Sequence, residues 1–75
     1  MKELVEFMAK SLVENPDSVI VKEVEEDDSL VLKLTVAPED MGKIIGKQGR
    51  IAKAIRTVIK AVAVKQNKRV IVEII

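Results

Sequence analysis

Cysteine and histidine are both absent from the chain, and with them go disulfide staples, cysteine nucleophiles and the thiolate and imidazole ligands of a structural zinc site. Tryptophan and tyrosine are missing as well, which leaves Phe7 as the lone aromatic residue. A chain so poor in rings cannot build the stacking platforms on which many single-strand binders lay their bases. Phe7 itself is expected to fill the core. No window approaches the roughly 20 apolar residues of a membrane span. Glu3 and Glu6 also interrupt the amino terminus where a signal peptide needs an apolar run. This composition fits a reducing compartment, so the expectation is a soluble, cytoplasmic protein. Its 75 residues are read as one domain, residues 1–75, whose small core must pack well to stand without staples.

The charge that is present is segregated. Residues 1–40 carry four lysines against eleven acids, whereas residues 41–75 carry nine basic residues against Glu73 alone. A bland surface mixes the signs, and this asymmetry points the second half toward an anionic partner.

Leu4, Val5, Met8 and Leu12 recur at helical spacing over residues 2 to about 14, and Asn15-Pro16-Asp17 ends that helix, because the residue before proline is driven out of the α region. Val19 to Glu25 is β-branched. Leu30 to Ala37 alternates, with Leu30, Leu32, Leu34 and Val36 on one face and Val31, Lys33, Thr35 and Ala37 on the other. The charged link Glu25 to Ser29 makes these two strands an antiparallel hairpin. Its four consecutive acids lack the ligand spacing and glycine of a calcium loop, so they are read as a solvated tip. Pro38-Glu39-Asp40 starts a short helix that runs to about Ile45. A longer helix begins near Arg50, with Ile51, Ile55, Val58, Ile59 and Val62 on one stripe and Lys53, Arg56 and Lys60 on another. Val70 to Ile75 is the last strand. A crossover of two helices makes it parallel to the second strand. The order helix-strand-strand-helix-helix-strand gives an α+β fold, a three-stranded mixed sheet with three helices on one face.

All three glycines lie between positions 42 and 49. Gly46 and Gly49 bracket Lys47 and Gln48 in a G-x-x-G turn between two helices. Glycines there permit positive φ and remove the Cβ that would hold a phosphodiester away. The following helix offers its unpaired N–H groups and positive dipole end to the same place. Lys43, Lys47, Arg50 and Lys53 add cationic side chains around it.

The run Ile44-Ile45-Gly46-Lys47-Gln48-Gly49-Arg50-Ile51-Ala52 resembles the signature of the KH domain, and the element order, with a helix and strand added at the amino end, resembles its type II arrangement. Over its whole length the chain is similar to the small bacterial KhpA group. The resemblance implies single-stranded RNA binding in the cytoplasm, as an RNA chaperone or post-transcriptional regulator. It also implies self-association or pairing with a larger KH-containing protein of the KhpB (Jag) kind. Gly46, Lys47, Gln48 and Gly49 would then clamp the backbone of about four nucleotides. Ile44, Ile45 and Ile51 would lie at or just beneath the floor of the groove. Lys68 and Arg69 are further candidates whose contact depends on the geometry of the loop before the last strand. In this arrangement the facing wall includes the hairpin tip, which is acidic in this chain.

Two other classes stand beside this one. A phosphate-binding loop of an NTPase needs one more residue between its glycines than Gly42 to Lys47 supplies, and Gln48 stands where the magnesium-binding Ser or Thr belongs. No dinucleotide fingerprint is present either, so no catalysis, metal or cofactor is expected. A protein-interaction module built on the thin alanine-rich helix, with Ala52, Ala54, Ala61 and Ala63, is the second alternative. Single-stranded DNA is the nearest alternative ligand, since the 2′-OH contacts that separate it from RNA are not written in the sequence.

Overall fold

Three leucines at every second position of a central strand need one apolar layer above them, and the helices supply it. The structure, a computed structural model, describes residues 1–75, the side chain of Lys47 excepted. Helix α1 (Lys2–Leu12) is followed by a single 3-10 turn at Pro16–Ser18, strands β1 (Ile20–Glu25) and β2 (Leu30–Thr35), a long helical element α2 (Pro38–Lys65) and strand β3 (Val70–Ile74). The sheet order is β1-β2-β3, antiparallel in the hairpin and parallel between β2 and β3. Register puts Val21, Leu34 and Ile74 in one cross-sheet row and Glu23, Leu32 and Val72 in the next. Leu32 and Leu34 are fully buried against Val5, Ala9, Ile44, Ile55 and Ile59. Each such aliphatic side chain contributes about 1.5–3 kcal/mol on burial, so this shared cluster, contributed by α1, α2 and all three strands, sets how the helices sit.

Helical turns run without interruption from Pro38 to Lys65, where the sequence suggested two helices and an intervening loop. A straight rod of that length would measure about 42 Å, yet the longest dimension of the molecule is 34 Å. The axis therefore breaks. Gln48 and Gly49 adopt φ of 65° and 68°, the left-handed region that no right-handed helix can pass through. Two helical arms meet there, and with α1 they form the three helical segments expected over the sheet. Gly46, expected to share the positive φ, does not; Gln48 carries it instead.

Helix α1 stops at Leu12, two residues earlier than its periodicity suggests, because Val13 is already extended. That turn aims the N–H groups of Glu14 and Asn15 at the Asp40 carboxylate, both at 3.0 Å, and Asn15 Nδ2 donates to it at 3.1 Å. Asp40 is fully buried. It ties the end of α1 to the first turn of α2. The N–H of Glu14, followed by the side chain and N–H of Asn15, holds its carboxyl below the usual aspartate range against the opposing effect of burial. Phe7 is a second departure, 70% exposed where a core position was expected. Val5 and Ala9 face the core, and a residue midway between them on a 3.6-residue helix points away.

Candidate nucleic-acid interface

At the turn between the arms, backbone geometry is set by Gln48 and Gly49 and side-chain clearance by the glycines. A Cβ added to Gly42, Gly46 or Gly49 would meet no atom within 4 Å. Packing inside the chain therefore gives no reason for glycine at Gly46, which lacks the positive φ of Gln48 and Gly49. An alanine there would favour the helix by about 1 kcal/mol. Close approach from outside is the physical reason left for it. The Lys47 side chain lies outside the described residues.

From Gly49 a single helical stripe runs down the second arm through Lys53, Arg56 and Lys60, at spacings of four, three and four residues. These side chains are exposed. Arg56 and Lys60 form one wall of a groove of about 770 Å³, with Ile59, Ala63 and Val64 beside them and Val70, Ile71 and Val72 of β3 opposite. Lys68 and Arg69 close its far end. They are set there by the end of α2, where Asn67 takes φ of 56°. The N–H of Lys68 then donates to the Ala63 carbonyl at 2.8 Å and that of Asn67 to Val64 at 3.1 Å, a closed helix terminus of the Schellman kind.

Because β3 is an edge strand, half of its peptide groups open onto this groove. Leu30 N–H donates to the Arg69 carbonyl at 2.9 Å and Ile75 N–H donates to that of Leu34 at 3.0 Å. In a parallel pair this fixes an alternation in which Val70, Val72 and Ile74 turn N–H and C=O outward. The groove thus combines a cationic wall, an apolar floor and a row of backbone donors and acceptors.

The expected site residues divide into three sets. Gly46, Gln48, Gly49, Arg50 and Lys53 gather at the turn and the start of the stripe, and Lys68 and Arg69 lie at the far end of the groove. Ile44 is fully buried and Ile51 is half-buried against the core, so both support the turn from beneath, whereas Ile45 is 57% exposed. Lys43 is drawn to the other side, where its ammonium pairs with Glu14 after α1. Two features went beyond the expected site. The spacing from Gly49 to Lys60 already carried Arg56 and Lys60 into it. The free edge of β3 followed from the strand order together with parallel pairing. The acidic hairpin tip faces Asn67, Lys68 and Arg69 across a smaller cleft of about 340 Å³. Among the described residues no cluster of acidic side chains is arranged to hold a metal ion, and no helix is long and apolar enough to cross a membrane.

The family model described as KhpA/KhpB, KH domain matches residues 2–74. A protein of Clostridium acetobutylicum described as RNA-binding protein KhpA is 72% identical over the full length of both chains. One of the same description from Aquifex aeolicus is 49% identical over all of this chain and 95% of its own. Among solved structures, an Aquifex aeolicus Era variant bound to GDP·AlF4− matches with a TM-score of 0.64 and 28% identity, over 97% of this chain but only 28% of that one. In fold, in motif and in these relatives, the chain belongs to the KhpA/KhpB family of KH domains.

Proposed function

We propose that the groove between α2 and β3 binds a short stretch of single-stranded RNA, with the phosphodiester backbone on the Gly46–Gly49 turn and the bases directed toward the β3 edge. The observation that carries this reading is a glycine whose missing side chain serves no packing role, placed at the head of a cationic stripe that leads into a groove walled by an unpaired strand edge. The relatives described as RNA-binding proteins support it. Lys47, Arg50 and Lys53 hold the phosphates by charge, and Gln48 by hydrogen bonding. Ile45 offers apolar contact beside the turn, while Lys43 serves mainly to fix the first arm through Glu14. The role is that of a cytoplasmic RNA chaperone or post-transcriptional regulator that catalyses no reaction.

A second reading is favoured by one observation. Ala54, Val58 and Ala61 are exposed on the second arm of α2, and Val58 retains 41% of its surface. This thin apolar stripe suits another helix, either of a second copy or of a larger KhpB-like KH protein, and pairing would join two grooves and raise effective concentration.

The test is titration of mixed-sequence RNA and DNA oligonucleotides into the wild type and a Lys47→Asp, Gln48→Asp double variant at two salt concentrations. Gln48 is exposed at the turn, and circular dichroism checks the fold. The expected result is RNA binding whose log affinity falls with log salt by roughly 0.7 per neutralised phosphate, and its loss in the folded variant. Equal binding by both proteins removes the turn from the site. A preference for DNA corrects the ligand, and a dimer indifferent to both leaves the interaction reading.

A further inference from the structure

The outward row of peptide groups on β3 is not uniform. Arg56 Nε–H donates to the Val72 carbonyl at 3.4 Å, so one of the two lone pairs of the acceptor at mid-groove is taken and the guanidinium stands against it. The neighbouring Val72 N–H still points outward, and among the described residues no side chain accepts from it. A guanidinium presents five N–H donors in a fixed plane, and Arg56 forms no ion pair among the described residues. Arg56 lines the groove, and its remaining donors are available to a ligand there. A ligand at this level, about 10 Å of helix axis beyond Gly49, meets donors from the strand on one side and from the arginine on the other.

Base chemistry then discriminates. Adenine places its amino donor beside a ring acceptor on both of its edges, so it matches a free N–H and C=O pair and clashes with two donors. Uracil separates its two acceptors by N3–H. Guanine offers O6 and N7 as adjacent acceptors, and cytosine offers O2 and N3 in the same way. We propose that Arg56, by occupying the Val72 carbonyl, makes the middle of the groove select a base with two adjacent acceptors, cytosine or guanine, and reject adenine. This rests on the RNA-groove reading, and the two fail differently.

The experiment titrates uridine pentanucleotides carrying one central cytidine, guanosine or adenosine into wild type, Arg56→Lys and Arg56→Ala, all of them checked for fold. Wild type is expected to bind the cytidine or guanosine form roughly five- to a hundredfold more tightly than the adenosine form, the range of a good bidentate contact. Arg56→Lys keeps a charge but lacks the planar fork, and should lose the preference between the three oligonucleotides. Arg56→Ala frees the Val72 carbonyl and should shift the preference toward adenosine. Equal binding of all three oligonucleotides by wild type, or a preference that survives in Arg56→Ala, overturns the assignment of Arg56 and leaves the groove in place. Failure of every oligonucleotide to bind wild type overturns the RNA reading, and this inference with it.

Discussion

In the backbone at Gly46, φ is not positive and the space a methyl group would fill is open. For the isolated chain alanine is the better residue there, yet the proposed function needs the gap. Gly46→Ala is therefore expected to raise stability by about 0.5–1 kcal/mol in chemical denaturation and to weaken RNA binding in the same preparation. A gain in stability with unchanged affinity would mean that no phosphate approaches Gly46. Gln48 makes the complementary point, because an L side chain at φ of 65° costs about 1–2 kcal/mol. Such strain is characteristic of functional turns. The positive φ of Gly49 could be read from its residue type. That of Gln48 could not, since nothing local distinguishes it from any helical glutamine. Phe7 was illegible for a related reason. Residue type points to the core, and only the phase of α1, set by Val5 and Ala9, turns it to solvent.

Among the elements, the junction of α1 with α2 is the one that sequence patterns left unseen. Pro38-Glu39-Asp40 reads as a helix start, and the acids suit the dipole whether or not anything lies near them. The partners of Asp40 are the amides of Glu14 and Asn15, whose proximity depends on α1 folding back beside α2. A carboxyl whose pKa is depressed by folding contributes stability that is complete above its unfolded value, about 3.9 for aspartate, and is lost as pH falls through the lower folded value. Thermal melts should therefore show Asp40→Asn less stable than wild type at neutral pH, with the gap narrowing below about pH 4. A gap that is constant with pH would mean that the charge of Asp40 contributes nothing to stability. The strands, by contrast, were legible almost to the residue, because the alternation in Leu30 to Thr35 and the short charged link to β1 leave one register that turns all three leucines to the core, Leu32 and Leu34 fully buried and Leu30 half-buried.

At the scale of the whole molecule, the helices cover one face of the sheet, and four basic residues of the second half, Arg56, Lys60, Lys68 and Arg69, line one groove. Segregation of charge was visible in the sequence, but not its direction in space. The strand order places β3 at an edge, and the crossover sends the second arm of α2 back along it. Only then do Arg56 and Lys60 from one element and Lys68 and Arg69 from another line the same groove. The acidic hairpin tip faces the last two across a smaller cleft at the far end.

The central claim, that RNA lies along the groove from the glycine turn to the β3 edge, is tested most directly by following backbone amide resonances of the folded protein during titration with a short single-stranded RNA. The account predicts shifts confined to Gly46 through Lys53, the exposed side of α2 near Arg56 and Lys60, and Lys68 through Ile74, with α1 and β1 unmoved. Shifts centred instead on α1 around Phe7, or on β1 at the exposed Ile20 and Val24, would contradict it.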